Sequence, residues 1–85
     1  MEPLGWNELK NIWLKQTRGK SFDEVLSMRY LGARKHSSRP DQWVFLYEDD
    51  GVVWVVPYVE VDKKVFLKTL YRSRKLTKML RKGEL

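Results

Sequence analysis

The chain contains no cysteine and a single histidine among its 85 residues. Disulfides, thiolate metal sites and a cysteine nucleophile are therefore excluded, and so are zinc sites or proton relays that need two histidines. No run approaches the roughly 18–20 apolar residues of a membrane span, so we expect a cytoplasmic protein without membrane contact. The five glycines are scattered and form no phosphate-cradling loop. A chain of 85 residues has room for one domain, over residues 1–85, and the absences predict that it holds no metal and no cofactor.

Positive charge is abundant, and it is concentrated at the C-terminal end. Lys and Arg outnumber Asp and Glu by 17 to 11, a net charge of +6. Residues 63–85 hold nine Lys or Arg against one acid, a net of +8, whereas residues 1–62 sum to −2. This asymmetry indicates a polyanionic partner, either nucleic acid or an acidic protein.

Two helices are predicted in the first third of the chain. The first covers residues 6–17, with Asn7 as N-cap and Gly19 as C-cap. The second covers residues 21–31, because Ser21 and Glu24 form a capping box and Gly32 can end a helix. The first helix has an apolar stripe at a spacing of three to four residues, made of Leu9, Ile12, Trp13 and Gln16.

The remaining residues predict an antiparallel meander followed by a third helix. Arg34-Lys35-His36 is a candidate short edge strand, and strands are expected over residues 42–48, 52–60 and 65–71, with a tight turn at Asp50-Gly51. Ser73 caps a helix over residues 73–82 that exposes a basic stripe. The expected cross-strand pairs are Tyr47–Trp54, Phe45–Val56, Trp43–Tyr58, Tyr58–Leu67, Val56–Thr69 and Trp54–Tyr71. This register places aromatic side chains on one face, and Lys68 and Arg72 among aliphatic side chains on the other.

The groups left for chemistry are cations, phenols and His36. They suit metal-free cleavage of RNA, whose own 2′-OH is the nucleophile, because the protein then only moves protons and stabilises charge at phosphorus. Arg and Lys supply the second function, and histidine is suited to the first. A non-catalytic nucleic-acid-binding module and a basic domain that only docks an acidic partner protein remain alternatives, since both need the same cations.

Several motifs together resemble the BrnT family, small toxins of bacterial toxin–antitoxin operons within the RelE superfamily. The motifs are Trp6-Asn7-x-x-Lys10-Asn11, Gly19-x-Ser21-Phe22-Asp23-Glu24-Val25, Val56-Pro57-Tyr58-Val59-Glu60 and Phe66-Leu67-Lys68-Thr69-Leu70-x-x-Ser73-Arg74-Lys75. Many members carry a histidine at the turn where this chain has Thr17-Arg18. The resemblance implies an α+β, RelE-like fold in which two N-terminal helices pack on a three- to four-stranded antiparallel sheet, with a short basic C-terminal helix.

The resemblance also implies a function and partners. The implied activity is that of a metal-independent endoribonuclease that arrests growth. The implied partner is an antitoxin with a ribbon-helix-helix DNA-binding domain, joined to the toxin as a hetero-oligomer that reaches operator DNA only through the antitoxin. We expect Arg74 and Lys68 to stabilise the transition state and His36 or Tyr58 to move protons. The residues expected to bind RNA phosphates are Arg72, Lys75, Lys78 and Arg81.

Overall fold

The computed structural model describes residues 4–85, which form an α+β fold of six strands and three helices. The elements in chain order are β1 (Leu4–Trp6), α1 (Glu8–Arg18), α2 (Phe22–Leu26), β2 (Arg29–Lys35), β3 (Trp43–Asp49), β4 (Val52–Val61), β5 (Lys64–Leu67), β6 (Tyr71–Ser73) and α3 (Arg74–Arg81). The predicted α+β class and the basic C-terminal helix are confirmed. No helix in this part of the chain is long and apolar enough to cross a membrane.

The sheet is mixed, and it is larger than the sequence predicts. Its strand order is β1-β5-β4-β3-β2, and β6 pairs with β4. The strand β1 precedes the helices in the chain and pairs with β5 in parallel. The other strand pairs are antiparallel. The expectation of a purely antiparallel sheet of three or four strands is therefore wrong. The ten-residue strand β4 is central, since β3, β5 and β6 all pair with it.

The second helix is shorter than predicted, because its last residues belong to the sheet. The capping box forms: the Glu24 amide donates to Ser21 Oγ at 3.3 Å, and the Ser21 amide donates to Glu24 Oε1 at 3.1 Å. The helix then ends at Leu26 instead of residue 31. Tyr30 lies in β2, and its ring packs on the aromatic side chains of β3. Gly32 marks a bulge in this strand, with φ of 139°, and does not cap a helix.

The first helix has the predicted caps, but it does not bury its apolar stripe. Its apolar stripe faces solvent: Leu9 is 78% exposed, and Ile12 and Trp13 are 49% and 44% exposed. The buried face carries Asn11 and Leu14. Asn11 is buried because all its polar atoms are used: its Oδ1 accepts from the Phe22 amide at 2.7 Å, and its Nδ2 donates to the carboxylates of Glu8 and Asp23.

The β3–β4 hairpin has the predicted register, and it separates two cores. Asp50 and Gly51 form the turn with φ of 52° and 79°, a left-handed backbone that glycine adopts without steric cost. The core between the sheet, α1 and α2 contains Leu14, Phe22, Val25, Tyr47, Trp54, Val56, Tyr58, Val65, Leu67 and Leu70. The core under α3 contains Val44, Leu46, Val53 and Val55, covered by Leu76 and Leu80.

The last predicted strand is interrupted, and the interruption changes its register. The pairs Val56–Thr69 and Trp54–Tyr71 are wrong, although Tyr58–Leu67 is confirmed. One extra residue between β5 and β6 shifts the pairing to Val55–Tyr71, Trp54–Arg72 and Val53–Ser73. Leu70 therefore turns into the same core as Leu67. Arg72 moves to the Trp54 face of the sheet, and Tyr71 moves to the α3 face.

Candidate functional site

Five cations line one cleft at the edge of the sheet, which we call the arginine cleft. It has a volume of about 570 Å³ and lies between the end of α1, the start of β4, β6 and α3. Its lining residues are Thr17, Arg18, Val52, Trp54, Arg72, Ser73, Arg74, Thr77, Lys78 and Arg81. Not one of these lining residues, all within the described chain, is acidic. The lining can therefore attract an anion, and it offers no carboxylate to a metal ion.

Helix α3 carries three of the cations on a single face. Arg74, Lys78 and Arg81 are all exposed, and their spacing of four and three residues aligns them along the helix. The helix is fixed to the sheet at Thr77, which is buried and whose hydroxyl accepts from the Val53 amide at 2.9 Å. The predicted basic stripe is thus confirmed, and its position relative to β4 is set by a buried hydrogen bond.

The other two cations come from β6 and from α1. The guanidinium of Arg72 lies 5.8 Å from the Trp54 ring, because the register shift turns this residue toward the aromatic face. Arg18 Nη1 donates to the Leu70 carbonyl at 2.6 Å and to Thr69 Oγ1 at 3.1 Å. We did not predict Arg18 from the sequence. The available signal was its position at the turn where BrnT-like sequences often have a histidine.

The cations of the arginine cleft have no acidic partners among residues 4–85. The ion pairs of the described chain are Lys15–Glu24 at 2.8 Å and Arg29–Glu48 at 3.3 Å, and neither lines the cleft. The five like charges repel one another and give the cleft a positive electrostatic potential. An anion bound there would lower that repulsion. No group of three His, Asp or Glu residues in this part of the chain could hold a metal ion.

A second, smaller cleft lies on the opposite face of the sheet, between the end of β2 and α3. We call it the His36 cleft, and its volume is about 270 Å³. Its lining residues are Arg34, Lys35, His36, Ser37, Val44, Val55, Tyr71, Ser73, Lys75, Leu76 and Met79. These residues of the described chain again include no carboxylate. Ser73 lines both clefts, so the two meet at the corner between β6 and α3.

The loop after β2 holds the His36 side chain by hydrogen bonds. The backbone amides of Ser38 and Arg39 donate to Nδ1 of His36 at 3.1 and 3.2 Å. The His36 amide donates to the Gln42 carbonyl at 3.0 Å. The imidazole is half-buried. Because Nδ1 already accepts hydrogen bonds within the loop, Nε2 is the ring nitrogen left for a ligand.

The eight predicted site residues are divided among four places. Arg72, Arg74, Lys78 and Arg81 line the arginine cleft, and His36 and Lys75 line the His36 cleft. Tyr58 is only 7% exposed and stacks on Phe45, with ring centroids 4.0 Å apart. Lys68 is exposed with Nζ 5.7 Å from the Phe66 ring, and neither Tyr58 nor Lys68 lines either cleft. The predicted catalytic set is therefore not assembled at one point.

Comparison with protein-family models, with curated proteins and with solved structures finds no match for this chain. The structure is that of an α+β protein with two cationic clefts, one on each face of the same sheet edge. Neither cleft has a carboxylate among its lining residues.

Proposed function

We propose that this protein binds single-stranded RNA in the arginine cleft and cleaves it without a metal ion, as the growth-arresting toxin of a toxin–antitoxin pair. The observation that carries the proposal is the set of five cations with no carboxylate among the lining residues. Such a cluster raises the local concentration of a polyanion, and arginine binds phosphate oxygens in bidentate fashion. The toxin assignment is further supported by the sequence resemblance to the BrnT family.

The arrangement suits a reaction in which RNA supplies its own nucleophile. Attack of the 2′-OH on the adjacent phosphorus places additional negative charge on the non-bridging oxygens, and preorganised cations lower the energy of that state. The bond from phosphorus to the 5′ oxygen then breaks, with net transfer of the 2′-OH proton to that leaving oxygen, and a 2′,3′-cyclic phosphate remains. Arg72 and Arg74 lie on either side of Ser73, at the corner between β6 and α3. Lys78 and Arg81 follow along the helix, about 6 and 10 Å from Arg74 along its axis, where neighbouring phosphates of one strand can reach them.

The test compares two double variants that lose the same charge. Arg72→Gln with Arg74→Gln alters the cleft, whereas Lys63→Gln with Lys64→Gln alters the distant β4–β5 turn. We expect the cleft variant to lose RNA cleavage by at least roughly 10²–10³-fold and to stop arresting growth. The turn variant should remain as active as the wild type, and cleavage should persist in EDTA.

Three results would contradict this proposal. Equal cleavage by both double variants, at matched expression and with intact circular dichroism, would show that the cleft has no special role. Loss of cleavage in EDTA with recovery in magnesium would show that the chemistry depends on a metal ion. Growth arrest without cleavage of any RNA would leave binding as the activity.

A second candidate function is the docking of an acidic partner protein without catalysis. The observation in its favour is the exposed stripe of Leu9, Ile12 and Trp13 on α1. Apolar side chains at this spacing suit a partner helix. Arg18, at the end of the same helix, lies 5.4 Å from the Trp13 ring and lines the arginine cleft, so one acidic, amphipathic segment would cover both surfaces.

The antitoxin implied by the sequence resemblance would have this chemistry, and we propose that it forms a hetero-oligomer with this chain. In that complex, its ribbon-helix-helix domain makes the contact with operator DNA. Hydrogen exchange of the chain, alone and with the product of the adjacent gene, tests the arrangement. We expect protection in both α1 and α3. Binding that protects neither helix would contradict the proposed docking surface.

A further inference from the structure

The hydrogen bonds of His36 determine where its proton resides. Neutral imidazole has one N–H donor and one nitrogen with a lone pair. Nδ1 accepts from two backbone amides, those of Ser38 and Arg39, so the lone pair must be on Nδ1. The proton is then on Nε2, and the ring presents an N–H donor to whatever it meets beyond the loop.

This tautomer is unsuited to proton transfer. A general base for the 2′-OH needs a free lone pair facing the substrate, but Nε2 carries a proton. A general acid needs the doubly protonated ring, in which an Nδ1–H would point at two amide N–H groups. His36 could fill either role only by giving up both hydrogen bonds that hold it. Its chemical capacity in the observed arrangement is to donate one hydrogen bond.

The neighbours of His36 indicate what would accept that hydrogen bond. Arg34, Lys35 and Lys75 line the same cleft, together with the phenol-bearing Tyr71. The combination of cations, a neutral N–H donor and no lining carboxylate is complementary to a phosphate group. The volume of about 270 Å³ leaves room for a phosphodiester but not for a nucleic-acid duplex.

We propose that the His36 cleft is a second phosphate-binding site, in which neutral His36 donates its Nε2–H to a phosphodiester beside Lys75 and transfers no proton. The identification of the phosphodiester as RNA rests on the proposed function; the tautomer does not. Because Ser73 lines both clefts and β6 pairs, among the described strands, with β4 alone, a single RNA strand can pass around this sheet edge. It would place phosphates in the arginine cleft on one face and in the His36 cleft on the other.

The first experiment observes the tautomer directly. The chain has one histidine, so a two-bond nitrogen–proton correlation spectrum of the labelled protein contains a single imidazole pattern. We expect the pattern of the Nε2-protonated tautomer at neutral pH. A non-cleavable 2′-O-methyl octanucleotide should shift the Nε2–H resonance without changing the tautomer. An Nδ1-protonated ring, or no shift at saturating oligonucleotide, would overturn the proposal.

The second experiment separates hydrogen-bond donation from proton transfer. The side-chain NH₂ of His36→Gln reaches about as far as Nε2, whereas His36→Asn is too short but keeps a carbonyl near the Nδ1 position. We expect His36→Gln to bind the 2′-O-methyl oligonucleotide within about 3-fold of wild type, and His36→Asn to bind about 10-fold more weakly, the factor for one lost hydrogen bond. The amide resonances of Ser38 and Arg39 report whether the loop is intact in each variant.

The two variants also distinguish this inference from the proposed function. If His36 transfers a proton, His36→Gln should lose roughly 10²–10⁴-fold in cleavage rate with unchanged affinity, and the inference would be wrong while the nuclease proposal stands. If the protein cleaves no RNA, the tautomer and the affinities still decide the inference. Equal affinity of wild type and His36→Asn would also refute it.

Discussion

The salt dependence of RNA binding gives the arginine cleft a quantitative test. Each phosphate neutralised on a single strand makes the slope of log affinity against log salt more negative by about 0.7. Five cations line the cleft, but Nη1 of Arg18 is already bonded to the Leu70 carbonyl and Thr69. These acceptors are neutral and leave Arg18 charged, but they hold its guanidinium against the backbone. We therefore assign one phosphate to each of the other four cations, and the expected slope is about −2.8. Affinity should fall about 150-fold between about 50 and about 300 mM salt.

The perturbation is removal of one cation at the outer end of the row. Arg81→Gln should raise the slope by about 0.7, to about −2.1, whereas Arg81→Lys should leave it unchanged because the charge is kept. Lys64→Gln is the matched control, since Lys64 is exposed and begins β5 at the far turn. The assay is fluorescence anisotropy of a labelled 2′-O-methyl pentanucleotide, which has four phosphodiesters and cannot be cleaved, over this salt range.

The slope also reports whether a strand leaves the first cleft. A longer oligonucleotide that passes around β6 to reach Lys75 should have a slope of about −3.5, because one more phosphate is neutralised. A slope near zero for wild type would refute nucleic-acid binding altogether. Equal slopes for Arg81→Gln and Lys64→Gln would show that only total charge matters, and the reasoning from cleft geometry would fail.

Three further predictions concern stability. Leu14→Ala should destabilise the fold by roughly 2–5 kcal/mol, because Leu14 is fully buried, whereas Leu9→Ala on the same helix should cost less than about 0.5 kcal/mol; equal shifts in urea denaturation would contradict the orientation of α1. The hydrogen bond from Lys15, with a second from Ser21, lowers the pKa of Glu24 from 4.5 to about 2, so its stabilising effect is complete above pH 4.5 and is lost as the pH falls toward 2. Thermal melts of Glu24→Gln should accordingly show a weaker loss of stability across that range, and curves parallel to those of wild type would contradict this. Arg18→Ala should cost about 1.5–3 kcal/mol, because it removes a charged donor from the backbone carbonyl between β5 and β6; an unchanged melting temperature would refute that role.

Features set by neighbouring residues in the chain were predictable from the sequence. The cap of α1 at Asn7, the capping box at Ser21 and the cap of α3 at Ser73 all form as expected. The Asp50-Gly51 turn also fixes the β3–β4 register correctly. Each of these depends on interactions over four residues or fewer, so the local sequence contains the information that determines it.

Features that depend on distant partners were not predictable. The orientation of α1 follows from the buried hydrogen bonds of Asn11, whereas a hydrophobic pattern counts asparagine as a surface residue. The strand β2 replaces the end of a predicted helix because Tyr30 finds aromatic partners on β3. Arg18 became part of the site only because α1 ends beside the interruption between β5 and β6.

The division of the site follows from the single extra residue between β5 and β6. If the pairing of β4 with β5 continued without interruption, Arg72 would pair with Val53. Its side chain would then lie on the face of the sheet that carries α3 and the His36 cleft. The observed register pairs it with Trp54 instead, and the helical spacing of α3 adds Arg74 to the same side. Lys75, one residue further, is rotated by about 100° into the His36 cleft. Lys75 is therefore separated from the other four cations of β6 and α3, and only a flexible chain of phosphates that bends around β6 can contact all five.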